Sequence, residues 1–125
     1  MMLLLDTNVI YRWLMDQPLP ADVVQQVHDQ GATVSVLAPW EMLIKHQLGK
    51  LALPTTDPAS DIAARGFQIL PIRSEHLRYL SELPMLHRDP FGRLLLAQAK
   101  ADGYRIVTTD ALFADYLPNT WVVTK

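Results

Sequence analysis

The chain has no cysteine, which excludes disulfides and thiolate metal sites, so any metal must be held by oxygen or imidazole. It has no surplus of positive charge: 11 Lys and Arg stand against 13 Asp and Glu, a net charge of −2. Non-specific nucleic-acid binding is mostly phosphate neutralisation, so a local basic patch or a bound cation would have to supply it. It has no long hydrophobic run. The apolar N-terminal stretch lacks a basic flank and stops at Asp6, too early for a signal peptide or a membrane span. A cytoplasmic protein with no membrane contact is expected, and neither repeats nor low-complexity tracts interrupt it. What remains is a chain of 125 residues, half of them hydrophobic and about a fifth charged, enough for one domain over residues 1–125 with a proper core.

Met2 to Leu5 reads as a strand buried on both faces, and such a strand delivers Asp6 to the carboxyl edge of a sheet. Val9 to Met15 is predicted as a helix capped by Asn8, and Ala21 to Gln30 as a second one stopped by Gly31. Thr33 to Leu37 is β-rich. Ala38-Pro39 then opens a helix with Trp40, Leu43, Ile44, Gln47 and Leu48 as its packed stripe, Trp40 being core, and with Glu41 off that stripe. Further on come a short helix over 58–65, a brief strand over 66–71, a helix from Ser74 (its cap) to Glu82, and an alanine-rich helix from Leu94 to Asp102. A strand over Tyr104 to Thr108, a short helix carrying Phe113 and a final strand over 121–123 complete the alternation. The pattern predicts an α/β fold: a central, mostly parallel β-sheet with helices on both faces.

Asp6 and Asp110 each follow a strand, and Glu41 lies in the first turn of a helix after another. Carboxylates gathered at one sheet edge repel unless protonated or bridged by a cation, and Mg²⁺ or Mn²⁺ prefers such oxygen ligands and binds phosphates alongside. Metal-assisted phosphodiester hydrolysis is the reaction class this suggests. Thr7 and Thr109 stand beside the two aspartates as orienting partners, and Lys45, Arg88 and Arg93 are candidates to hold phosphates. Each has a simpler reading: Asp6 and Asp110 as helix caps, Glu41 and Lys45 as an i, i+4 surface pair, Asp89 before Pro90 as a turn opening. The four histidines, His28, His46, His76 and His87, show no paired metal spacing and read as surface or packing residues.

Four motifs in order resemble the PIN-domain ribonucleases, specifically the VapC-like toxins of type II (VapBC) toxin–antitoxin systems. They are Leu3-Leu4-Leu5-Asp6-Thr7-Asn8-Val9; Trp40-Glu41-Met42-Leu43-Ile44-Lys45 with Leu48-Gly49-Lys50-Leu51; Leu83-Pro84 and His87-Arg88-Asp89-Pro90-Phe91 with Arg93-Leu94-Leu95-Leu96-Ala97-Gln98-Ala99; and Val107-Thr108-Thr109-Asp110. The resemblance implies a PIN fold, Mg²⁺- or Mn²⁺-dependent cleavage of RNA, homodimerisation, and neutralisation by a cognate antitoxin protein. It assigns catalytic or metal-binding roles to Asp6, Glu41 and Asp110, with Asp89 as a further catalytic candidate and Asn8 among the supporting residues.

The sequence departs from the family at position 92, where a metal-binding aspartate is usual and Gly92 stands, and at Ala38, where a serine is expected. A missing carboxylate weakens attraction for the cation and implies slower hydrolysis without loss of fold. The alternative is a catalytically impaired PIN-fold protein acting mainly as an antitoxin-binding partner. A phosphatase with Asp6 as nucleophile, as in haloacid-dehalogenase-like enzymes, would need a second aspartate where Asn8 stands.

Overall fold

The computed structural model describes residues 1–86 and 89–123; expectations placed on His87 and Arg88 lie outside them. Its elements are β1 (Leu3–Leu5), α1 (Thr7–Leu14), α2 (Ala21–Gln30), β2 (Ala32–Ser35), α3 (Leu37–Gln47), α4 (Pro58–Ala64), β3 (Gln68–Leu70), α5 (Ser74–Glu82), α6 (Pro90–Asp102), β4 (Arg105–Thr108), α7 (Phe113–Tyr116) and β5 (Trp121–Val122). The strands form one sheet in the order β3-β2-β1-β4-β5, and every pairing is parallel. The leucine strand is therefore central, which is why both its faces are apolar. Leu3 and Leu5 pack with Val9, Ile10, Val23, Met42 and Ile62 on one face, and Leu4 packs with Leu83, Leu95, Leu96 and Phe113 on the other. Each fully buried leucine contributes about 1.5–3 kcal/mol.

This order positions the site. The chain moves outward from β1 through β2 to β3, then crosses back to place β4 on the other side of β1. Connections leave β1 and β4 in opposite directions, and a crevice opens at their carboxyl ends, where ligands of open α/β sheets collect. Asp6 immediately follows β1, and Asp110 lies two residues beyond β4.

Several local expectations are corrected by competing hydrogen bonds. α1 begins at Thr7, and its cap is Asp6 rather than Asn8: the Thr7 N–H donates to Asp6 Oδ1 at 2.8 Å, leaving Asn8 exposed within the helix. β2 ends at Ser35 because the Leu37 N–H donates to Ser35 Oγ (3.2 Å), which bends the chain into α3 two residues before the predicted strand end. With Leu37, Ala38 and Pro39 filling the interior from the first turn and Met42 following them, α3 has the predicted period in a different phase. Trp40 and Leu48, expected in the core, are 52% and 63% exposed, Gln47 is exposed, and Leu43 and Ile44 are half-buried.

At α5 the cap position is Arg73, not Ser74, with the Arg73 N–H donating to His76 Nδ1 at 3.0 Å. The alanine-rich helix starts at Pro90, four residues before Leu94. Asp89 Oδ1 accepts the Phe91 N–H (3.1 Å), and proline in the first turn needs no donor.

Candidate active site

Asp6, Thr7, Asn8, Glu41, Lys45, Asp89, Gly92 and Asp110 border one cavity of about 150 Å³ at the carboxyl edge of the sheet. The parallel register explains the first contact. Leu4 pairs with Ile106 and Leu5 with Val107, so Asp6 falls beside Thr108 on the same face. The Thr108 hydroxyl donates to Asp6 Oδ2 at 2.6 Å and accepts the Asp110 N–H at 3.0 Å, tying the two aspartate-bearing loops together. Adjacency in sequence points to Thr109 for this orienting role, but the hydroxyl that meets Asp6 is that of Thr108. Thr109 lies past the end of β4 and is not among the residues lining the cavity, whereas the pairing of β1 with β4 brings Thr108 beside Asp6.

Glu41 is brought in by the first turns of α3. Its Oε1 accepts the Thr7 hydroxyl (2.8 Å) and its Oε2 pairs with Lys45 Nζ (2.8 Å). The i, i+4 pair exists, but its acidic end is inside the cavity: the Glu41 side chain is 16% exposed and that of Lys45 48%. Asp110 Oδ1 accepts the Leu112 N–H at 3.0 Å. Asp89 caps α6 at the exposed rim, and Gly92 is buried in the cavity wall without a side chain. Arg93 is not among the residues lining the cavity; it donates to the carbonyls of Pro84 (2.8 Å) and Leu83 (3.4 Å), which fastens the segment after α5 onto α6.

Burial is the main force raising the Asp6 carboxyl above its ordinary value, against the opposing hydrogen bonds from Thr108 and the Thr7 N–H; the charges of Glu41 and Asp110 raise it further. Asp6 thus feels both of the other carboxylates across the cavity. Among the described residues, the set of three ligand atoms within 4.8 Å of one another is formed by Glu75, His76 and Asp102, not by these three. At that second cluster the cationic place is already taken. The Arg73 guanidinium binds both Glu75 and Asp102 at 2.7 Å, and the buried His76 ring lies 2.9 Å from Asp102 while accepting the Arg73 N–H. It is an ion-paired staple between α5 and α6.

The cavity is different in kind: its donors are carboxylate oxygens, mutually repelling and more widely set. A hard ion that keeps several waters and takes one or two carboxylates fits that donor set better than zinc does. Asp6, Glu41 and Asp110 could hold it, and position 92 offers no side-chain oxygen.

Fold and site together define an α/β protein with a carboxylate-lined crevice at the switch point of a parallel sheet. The PIN domain family model matches residues 3–116, and the chain belongs to the PIN domain family, whose members are generally nucleases. Among solved structures, VapBC2 from Rickettsia felis bound to a DNA fragment from its promoter is similar with a TM-score of 0.69 at 14% identity, covering 100% of this chain and 99% of that one. DNA-bound VapBC from Salmonella typhimurium gives 0.67 at 12% identity, covering 98% and 96%. FitAB bound to the IR36 DNA fragment gives 0.62 at 19% identity, covering 97% and 93%. At these identities the likeness is one of fold. No curated protein matches the chain.

Proposed function

We propose that the chain is a Mg²⁺- or Mn²⁺-dependent endoribonuclease, a single PIN domain over residues 1–125 that acts as the toxin of a toxin–antitoxin pair. The observation that carries this reading is the convergence of Asp6, Glu41 and Asp110, far apart in sequence, on one cavity in which burial and like charge already strain the Asp6 carboxylate. A divalent ion bound there would relieve that repulsion, stabilise charge developing on a phosphodiester and make water a stronger acid.

The chain's own residues do the positioning. Thr108 and the Thr7 N–H fix both oxygens of Asp6, and Thr7 and Lys45 fix both oxygens of Glu41. Among the described residues that line the cavity, Lys45 is the cation able to meet a phosphate if it leaves Glu41. Asp89 is the carboxylate nearest in sequence to the one missing at position 92, and it stands at the rim. RNA is the substrate in this reading, with cytoplasmic action. A cognate antitoxin is the partner, supported by similar structures that are themselves toxin–antitoxin complexes. A homodimer accords with exposed Ile72 and Leu77 at α5. Among the described residues no helix is long and apolar enough to cross a membrane.

A specific observation favours a second reading, an antitoxin-binding protein with little turnover: Gly92 leaves the cavity wall without its usual carboxylate. Cleavage of RNA by purified protein with Mn²⁺ separates the two. The expected order of activity is Gly92→Asp above the unaltered chain, and the unaltered chain above Asp6→Ala. Inactivity of both the unaltered chain and Gly92→Asp would refute the nuclease reading.

A further inference from the structure

Trp40 is more than half exposed although it adjoins Glu41 in sequence, and its ring meets that of Phe91 edge to face, with centroids 5.0 Å apart at 72°. Phe91 itself lines the acidic cavity. An open indole is thus coupled through one aromatic contact to the wall of the proposed site. The other two tryptophans are engaged elsewhere, Trp13 against Phe67 and Trp121 beneath the Arg105 guanidinium.

The charge of the molecule says what Trp40 is suited to hold. A net charge of −2, an acidic cavity and a Lys45 already paired with Glu41 give little grip on a phosphate backbone. Single-stranded nucleic acid can instead be held by its bases, each of which has a neutral π-face that stacks on an aromatic side chain without regard to sequence. We propose that Trp40, braced by Phe91, is a nucleobase-stacking platform that holds a base of single-stranded RNA beside the acidic cavity. The inference rests on the ribonuclease reading and adds to it a substrate-positioning residue outside the carboxylate set.

The test separates bases from backbone in the absence of turnover. Binding of a 2′-O-methyl oligonucleotide and of an abasic sugar-phosphate strand of equal length is measured by fluorescence anisotropy in EDTA, for the unaltered protein, Trp40→Ala and Trp40→Phe. Trp40→Ala should weaken binding of the base-bearing strand by about 5- to 100-fold and leave the abasic strand unchanged, while Trp40→Phe retains most of the affinity. Quenching of tryptophan emission on adding the base-bearing strand should disappear in Trp40→Phe. Equal affinity of Trp40→Ala and the unaltered protein for the base-bearing strand would overturn the platform alone, and so would an equal loss for both strands. Unchanged RNA binding with a shift from dimer to monomer in sedimentation would show that a second copy covers Trp40, and would overturn it too. If the unaltered protein binds neither strand, the platform falls, while the ribonuclease reading, which needs the cation that EDTA removes, is decided separately by cleavage with Mn²⁺.

Discussion

Replacing Asp6 by asparagine should make the protein more stable while removing its proposed function. Asparagine keeps the shape, and its carbonyl can still accept the Thr7 N–H now bonded at 2.8 Å. What is lost is a charge-assisted bond from Thr108 at 2.6 Å, worth roughly 1.5–3 kcal/mol. What is relieved is a buried charge, whose desolvation costs several kcal/mol, and its repulsion from Glu41 and Asp110. Burial dominates the upward displacement of the Asp6 carboxyl, so relief should win by about 1 kcal/mol, or about 3–5 °C in Tm for a domain of this size. The pH dependence follows from the same displacement. A carboxyl held above its ordinary 3.8 binds its proton more tightly when folded, so its stabilising contribution is complete below that value and is lost as pH rises through the raised one. The advantage of Asp6→Asn should therefore be full at pH 7 and shrink as pH falls toward about 4, read by thermal unfolding with circular dichroism in the absence of divalent ions. A Tm at pH 7 below that of the unaltered protein would refute the reasoning.

At Thr33, the buried hydroxyl has no hydrogen-bond partner among the described residues. Thr33→Val should accordingly be neutral or stabilising by up to about 1 kcal/mol in urea unfolding, and a loss above that would reveal a partner for the hydroxyl. Gln98 is fully buried, accepting from Ser35 Oγ at 2.6 Å and donating to the Pro71 carbonyl at 3.2 Å, so Gln98→Ala should cost about 3 kcal/mol by the same assay. Burial alone would raise the Asp102 carboxyl, but hydrogen bonds from His76 and Arg73 outweigh it and hold the group below its ordinary value. Its contribution is thus present above the ordinary carboxylate range and lost as pH falls through the lowered value, so Asp102→Asn should destabilise by about 1–2 kcal/mol at pH 7 and by less in acid. A deficit independent of pH would argue against the ion-paired staple.

The sheet was legible because its signal is chemical and local: a leucine strand apolar on both faces can only be central in a parallel sheet, and Asp6 at its end is then placed without further information. Asp110 and Glu41 were legible by the same logic of strand ends. Phase and register were not. Trp40 was read as core from a correct helical period, yet the turn at Ser35 starts α3 at Leu37 and rotates Trp40 outward. Thr108 was passed over for Thr109 because pairing of β1 with β4 is a long-range fact that neighbouring residues do not carry. The Arg73, His76 and Asp102 cluster was missed for a related reason: its members come together only when α5 packs on α6.

Gly92 lies in the first turn of α6 and is not among the glycines with positive φ, so the backbone does not require glycine there, and the helix dipole favours a carboxylate at that position. The most direct test of the acidic cavity as a cation site is Mn²⁺ affinity, measured by calorimetry on the unaltered protein, Gly92→Asp and Asp6→Asn. The account predicts tighter binding for Gly92→Asp by about tenfold or more, weak binding for the unaltered chain and none for Asp6→Asn. Equal affinity across all three would contradict it.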